Sequence, residues 1–210
     1  MEENNRKILL ETEKSKLWII ENFTPNHYEN LKNIELENEP IIHIMGKECH
    51  QRRDVGFFSD KSEGYRYSNQ LMKSKPLNTS SGVDSDESND VELIIMNCVL
   101  RQINKTLGSN YNGILVNRYK NGENYIGAHS DDESGLDKKK KAVASICYGA
   151  IRNFRIRDKE SKQIVLNYDH TPCTLLVMEG DFQKEFTHEI PKQKKITEER
   201  ISLTFRHHTK

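Results

Sequence analysis

Apolar residues fall in short clusters separated by polar, turn-rich stretches, and the spacing inside each cluster predicts its element. Residues 1–16 are almost entirely polar and predict a flexible arm with little to bury. Leu17-Trp18-Ile19-Ile20 is the first credible strand. Thr24-Pro25 pairs an N-cap residue with proline at the first helical position and predicts a helix to about Leu36. Pro40 to Gly46 reads as extended, through the apolar run Ile41-Ile42-His43-Ile44-Met45. Val91 to Leu107 predicts a helix stopped by Gly108, and it is apolar enough to be expected across a sheet. From Asn112 onward the pattern changes to short strands: 114–119, 142–148, 153–157, 163–167, 174–178 and 200–206. Turn-rich pieces such as Lys120-Asn121-Gly122 and Glu179-Gly180-Asp181 divide them. Regularly spaced short strands predict a β-sandwich or barrel, with the earlier helices backing one sheet.

Leu77 to Asp90 (LNTSSGVDSDESND) interrupts this pattern as a Ser/Asp-rich flexible insertion that cannot support a core. The remaining residues 17–207 are expected to form a single domain, in keeping with a length of 210 residues. Lys+Arg and Asp+Glu are both 32, so the net charge is zero and binding by bulk positive charge is excluded. No apolar run approaches the ~20 residues of a membrane-spanning helix, and the N-terminus shows no secretory apolar region. The four cysteines are far apart without a CxxC pair, which fits a reduced intracellular protein and not a disulfide scaffold. A monomer without a membrane partner is expected.

The last strand is the most informative segment. In Arg200-Ile-Ser-Leu-Thr-Phe-Arg206 the apolar residues Ile201, Leu203 and Phe205 share one face, and Arg200, Ser202, Thr204 and Arg206 share the other. Alternation alone fits an outer strand with a solvated polar face. It equally fits a cradle: at ~3.3 Å per residue the arginine Cα atoms lie roughly 20 Å apart, and both guanidiniums can reach back toward two hydroxyls. Such a cradle suits a short dicarboxylate, because guanidinium matches carboxylate in bidentate fashion. Upstream, His129-Ser130-Asp131 puts an imidazole and a carboxylate on one side of an extended chain, and His188 follows 57 residues after Asp131. Two histidines and one carboxylate describe the facial triad of non-haem Fe(II) oxygenases, although HxD alone is a weak signal. Zn(II) hydrolysis at the same three residues would leave the terminal strand unexplained.

These blocks in order (LVNRY at 115–119, HSDDE at 129–133, His188, and RISLTFR at 200–206) resemble the AlkB family of Fe(II)/2-oxoglutarate dioxygenases, nearest to its eukaryotic DNA-repairing members. The resemblance covers roughly residues 17–207 and is strongest from Tyr111. It implies an α+β, mainly β fold: a double-stranded β-helix (jelly-roll) core with flanking N-terminal helices. It implies that His129, Asp131 and His188 ligate Fe(II) and form the catalytic centre. Asn117, Tyr119, Arg200, Thr204 and Arg206 match the family's 2-oxoglutarate contacts, with O2 as the other co-reactant. Ser202 stands where the family usually carries Asn; Ser reaches less far, which predicts a somewhat weaker cosubstrate site.

The resemblance extends to the substrate side. In Gly64-Tyr65-Arg66-Tyr67-Ser68, Tyr67 takes the position that stacks on the target base and Tyr65 a hydrogen-bonding one; Ser68 and Asp132 are grouped with this surface. Glu133 matches a residue near the extruded base, Arg53 a basic residue in the lid, and Met45 the apolar finger that fills the gap after base flipping. The run Lys192-Gln193-Lys194-Lys195 resembles a phosphate-gripping loop, with Lys194 and Lys195 as contacts, while Lys138–Lys141 reads as a solvated loop. The activity implied is oxidative removal of N-methyl lesions of the 1-methyladenine and 3-methylcytosine type from alkylated DNA, single- and double-stranded. An RNA-acting relative and a catalytically silent nucleic-acid-binding module on the same fold are the alternatives. A nuclear location is expected for a eukaryotic host, and otherwise the cytoplasm.

Overall fold

A computed structural model describes residues 5–44, 46–67, 70–77, 91–132, 136–137 and 142–209, with backbone alone at Ile44 and Tyr67. The chain opens with β1 (Lys7–Glu11), β2 (Ser15–Ile20) and the single-turn helix α1 (Tyr28–Leu31). Five short strands follow: β3 (Ile41–Ile44), β4 (Lys47–His50), β5 (Asp54–Phe58), β6 (Gly64–Tyr67) and β7 (Gln70–Lys73). After α2 (Val91–Leu107) come β8 (Gly113–Tyr119), β9 (Ile126–His129), β10 (Val143–Gly149), β11 (Arg152–Asp158) and β12 (Ile164–His170). The chain closes with β13 (Leu175–Gly180), the single turn α3 (Phe182–Glu185), β14 (Phe186–Ile190) and β15 (Arg200–Arg206).

Two antiparallel sheets carry the core. The larger has seven strands in the order β1-β2-β13-β10-β15-β8-β5, and the smaller has four, β12-β11-β14-β9; β3-β4 and β6-β7 are separate hairpins. Apart from the β1-β2 hairpin, neighbours in the large sheet are distant in sequence, as in the jelly-roll core that the family resemblance implies. Period-two alternation gives the large sheet two buried faces. Ile201, Leu203 and Phe205 join Ile114, Val116, Ala144, Ile146, Leu175 and Val177 on the outer face, under Met96, Val99, Leu100 and Ile103 of α2. The inner face turns Leu17, Ile19, Val143, Leu176 and Met178 toward Phe154, Ile156, Phe186 and Ile190 of the small sheet. α2 therefore packs across a sheet as its apolar sequence predicts, and it ends where Gly108 takes φ +59°.

Two expectations are corrected. The arm over residues 1–16 contains β1, which pairs with β2 and half-buries Leu9 and Leu10 against the inner core. Three consecutive apolar residues, Ile8 to Leu10, suffice for an edge strand when a partner strand lies beside them. The helix expected from Pro25 to Leu36 shortens to four residues. The Thr24 hydroxyl shares a 3.1 Å hydrogen bond with the Tyr148 phenol on β10 instead of capping a helix, and Arg118 donates to the Ile34 carbonyl at 2.6 Å. Tertiary partners outbid the local helix signal. Residues 78–90 of the expected insertion lie outside the described residues. No described helix is long and apolar enough to cross a membrane.

Candidate active site

The site lies between the sheets, where the inner face turns polar. β15 runs beside β8 with Ser202 opposite Asn117 and Arg200 opposite Tyr119, so the odd-numbered β8 residues and even-numbered β15 residues share one wall. Asn117, Tyr119, Arg200, Ser202, Thr204 and Arg206 all line the same pocket. The small sheet supplies the facing wall. β9 and β14 pair with His129 directly opposite His188, ring centroids 4.3 Å apart, and Asp131 follows two residues past the end of β9. One ligand atom from each of His129, Asp131 and His188 lies within 4.8 Å of the others.

Hydrogen bonds fix how these three groups present themselves. The His129 Nδ1–H donates to the Gly127 carbonyl at 2.9 Å, so the Nε2 lone pair is left facing the Asp131 Oδ1, 3.7 Å away. His188 Nε2 stands 3.7 Å from Asp131 Oδ2, and Phe154 stacks on its ring at 5.3 Å. Burial pushes His129 down to about 3, helped by the neighbouring His188, and burial also lowers His188. Both imidazoles are therefore neutral and have lone pairs to offer. Burial would raise Asp131, but the charge and hydrogen bond of Arg206 oppose it and the carboxyl lies below its ordinary value, so it is ionised. The Asp131 backbone N–H donates to Gln183 Oε1 at 2.9 Å.

The two ends of the β15 polar face differ. Arg206 donates to Asp131 Oδ1 at 2.5 Å and lies over the Tyr65 ring at 5.3 Å. Arg200, buried at the other end, lies over Tyr119 at 5.7 Å and reaches His170 Nδ1 at 3.3 Å. Its Nε has no hydrogen-bond partner, and among the described residues no carboxylate is within ion-pair distance of it. A buried guanidinium without an anion is costly, and it marks where an anionic ligand would sit.

The family described as the 2OG-Fe(II) oxygenase superfamily matches residues 7–206. The chain belongs to the 2OG-Fe(II) oxygenase superfamily. Within it, the relatives are AlkB homologues. The alpha-ketoglutarate-dependent dioxygenase alkB homolog 3 of Bos taurus is 36% identical over 115 residues, covering 50% of this chain and 39% of that protein. The DNA oxidative demethylase ALKBH2 of Bos taurus is 27% identical over 172 residues, covering 79% of this chain and 56% of that protein. The chain thus spans roughly two-fifths to three-fifths of the length of these curated relatives. The solved structure of OsALKBH1 matches 96% of this chain and 100% of its own with a TM-score of 0.58 at 13% identity, a likeness of fold.

Fe(II), 2-oxoglutarate and O2 are the cofactors of 2OG-Fe(II) oxygenases, and the donor set here fits the metal. Two neutral imidazoles and one carboxylate suit Fe(II), and the buried Asp131 Oδ2 lacks a hydrogen-bond partner that a cation would replace. Arg206 on Oδ1 leaves that second oxygen open to a cation.

Other expected oxygenase site residues are placed as follows. Arg53 and Tyr65 join the pocket itself, and Arg53 Nε donates to Asn117 Oδ1 at 2.7 Å, which turns the Asn117 amide NH2 away from it. Asp132 is exposed, 3.7 Å from Lys159 Nζ. Lys194 is exposed and pairs with Glu123 at 3.8 Å, and Lys195 is exposed on the same loop. That loop is tied back to β8's following turn at Gly122, where an added Cβ would stand 1.9 Å from the Gln193 carbonyl oxygen. Met45, Ser68, Glu133, Lys138–Lys141 and the Tyr67 side chain lie outside the described residues. Sequence reasoning missed Gln183, Phe154, Ser145, His170 and the fully buried Arg152, which donates to the carbonyls of Asn121, Asn124 and Pro191. Only Ser145 and Phe154 carried a signal, as inward positions of alternating strands.

Proposed function

We propose that this chain is an Fe(II)- and 2-oxoglutarate-dependent oxidative demethylase that removes N-methyl groups, of the 1-methyladenine and 3-methylcytosine type, from DNA bases. One observation carries the reading. A single buried pocket holds a cation-ready His-Asp-His cluster at one end and, at the other, a buried arginine lacking an anion. A dicarboxylate whose one end meets the metal and whose other end meets Arg200 satisfies both. When bound, Fe(II) with 2-oxoglutarate and O2 supplies the oxidant for a methyl C–H bond, with succinate and CO2 formed; the hydroxymethylated nitrogen then releases formaldehyde.

The chain's residues provide the setting. Arg206 holds Asp131 in a one-oxygen ligand geometry, and Gly127 and Gln183 fix His129 and the Asp131 backbone. Asn117, oriented by Arg53, and the hydroxyls of Ser202 and Thr204 offer donors along the cosubstrate wall. Tyr65 lines both this pocket and the groove between the β3-β4 and β6-β7 hairpins, so the groove where a flipped base could be held lies next to the metal-binding cluster. Methylation of the Watson–Crick edge prevents normal pairing, so extruding such a base costs less than extruding an intact one. Met45, Tyr67, Ser68, Asp132, Glu133, Lys194 and Lys195 are assigned to substrate on the family resemblance. Similarity to a relative named as a DNA oxidative demethylase, ALKBH2, favours DNA over RNA. Succinate formation with Fe(II) and 2-oxoglutarate is expected to rise on adding 3-methylcytosine oligodeoxynucleotide; no stimulation by methylated DNA, or stimulation by methylated RNA alone, would overturn the DNA assignment.

A further inference from the structure

His170 ends β12 with its ring wholly buried. Its Nε2 lies 2.9 Å from the Thr174 carbonyl. A carbonyl only accepts, so Nε2 carries the hydrogen and Nδ1 is left with a lone pair. That lone pair faces Arg200 Nη2 at 3.3 Å. Tyr168 and Phe154 pack around the ring at centroid distances of 6.0 and 6.3 Å. The imidazole therefore has one tautomer, one orientation and one exposed acceptor, and that acceptor meets the guanidinium.

A neutral acceptor is the useful choice here. A carboxylate in the same place would orient Arg200 but also neutralise it, and would compete with any incoming anion. An imidazole lone pair steadies the guanidinium while leaving its charge available. Arg152, a second buried cation close enough to interact with Arg200, adds to the positive potential without contributing an anion.

We propose that His170 is a positioning residue that aims Arg200 at the distal carboxylate of the 2-oxo acid cosubstrate, a role that rests on the cosubstrate reading above. His170 touches neither cosubstrate nor metal and acts through Arg200. The two side-chain amides separate its two hydrogen bonds. Asn at 170 places an amide oxygen near the Nδ1 position and can still accept from Arg200. Gln places an amide NH2 near the Nε2 position and can still donate to Thr174, but offers Arg200 no acceptor.

The test measures binding by calorimetry with Mn(II) in place of Fe(II), comparing 2-oxoglutarate with pyruvate, which keeps the 2-oxo acid end and lacks the distal carboxylate. Thermal unfolding of each ligand-free variant runs alongside. H170Q is expected to weaken 2-oxoglutarate by roughly tenfold, the effect of one hydrogen bond to a charged group, and to leave pyruvate unchanged. H170N is expected to stay within about threefold of the parent for both ligands, a smaller change than that same bond would produce. Parallel weakening of both ligands, or a 2-oxoglutarate affinity unmoved in H170Q, overturns the proposal. An Arg200→Met protein that binds 2-oxoglutarate as tightly as the parent overturns the cosubstrate reading itself, and the role of His170 falls with it.

Discussion

Arg206 and Arg200 stand at opposite ends of one strand face, 3% and 2% exposed, yet among the described residues only Arg206 has a carboxylate beside it. Arg206 is balanced by Asp131 before any ligand arrives, so its first task is to hold a metal ligand in one geometry. Among the described residues Arg200 has no carboxylate beside it; it meets His170, the Tyr119 ring and the Cys147 thiol, with Arg152 as a second cation nearby. On the function proposed above, the same residue type at equivalent positions of a strand is a structural brace at one end and a receptor for an anion at the other. Partners set the difference, since both side chains share the strand's alternation.

The strongest way to break the contrast is at its paired end. Asp131→Ala removes the proposed metal ligand and the carboxylate beside Arg206, so turnover is expected to fall to background and stability to drop by about 3–5 kcal/mol, as when a buried ion pair loses one partner. Combining it with Arg206→Met should restore thermal stability but neither bound metal nor turnover. Next comes the unpaired end. Arg200→Met is expected to weaken 2-oxoglutarate roughly a hundredfold, while the ligand-free protein melts no lower than the parent, because a buried charge without a counterion has been removed. A clear drop in melting temperature would mean that Arg200 is a brace too.

Arg206→Lys probes shape with charge held constant. The apparent 2-oxoglutarate requirement should rise on the order of tenfold, since an ammonium cannot copy a planar fork that serves Asp131 and the cosubstrate together. The smallest effect concerns pH. Burial pushes the Cys147 thiol up, but its cationic surroundings, with the Arg200 guanidinium beside it, outweigh burial and lower it, while Cys173 and Tyr168, which also face it, are shifted upward and stay protonated. As pH rises and the thiolate forms, it places a negative charge near Arg200, so 2-oxoglutarate affinity should fall by a few-fold between pH 6 and 8. Cys147→Ser should flatten that slope; an unchanged slope would place its origin elsewhere.

Legibility in the sequence followed the range of the determining contacts. The alternation of residues 200–206 placed every side chain of β15 on its observed face, and the α2 limits coincide with Val91–Leu107 because its apolar pattern and Gly108 are local signals. His129 and Asp131 were readable as a spaced pair, and β14, FTHEI, alternates in a way that turns His188 inward, although it was not read as a strand. Arg200's isolation was not readable. It depends on which residues of β11 and β12 come near, and on no acid doing so. The hairpins β3-β4 and β6-β7 were missed in part because four-residue strands carry too little pattern. The helix after Thr24 failed for a long-range reason as well, since the Thr24 hydroxyl is committed to Tyr148.

β9 is the edge strand of the small sheet, and its pairing with β14 is interrupted by an irregularity between His188 and Ile190. A cation gripped by His129, Asp131 and His188 closes a ring of nearly sixty residues across that weak seam. Metal loading should therefore act as a stitch, slowing amide hydrogen exchange in β9 far more than in β10, whose both neighbours are regular. Purified without metal, the protein would show its first protease nick beside β9, the edge strand that the metal would otherwise tie to β14.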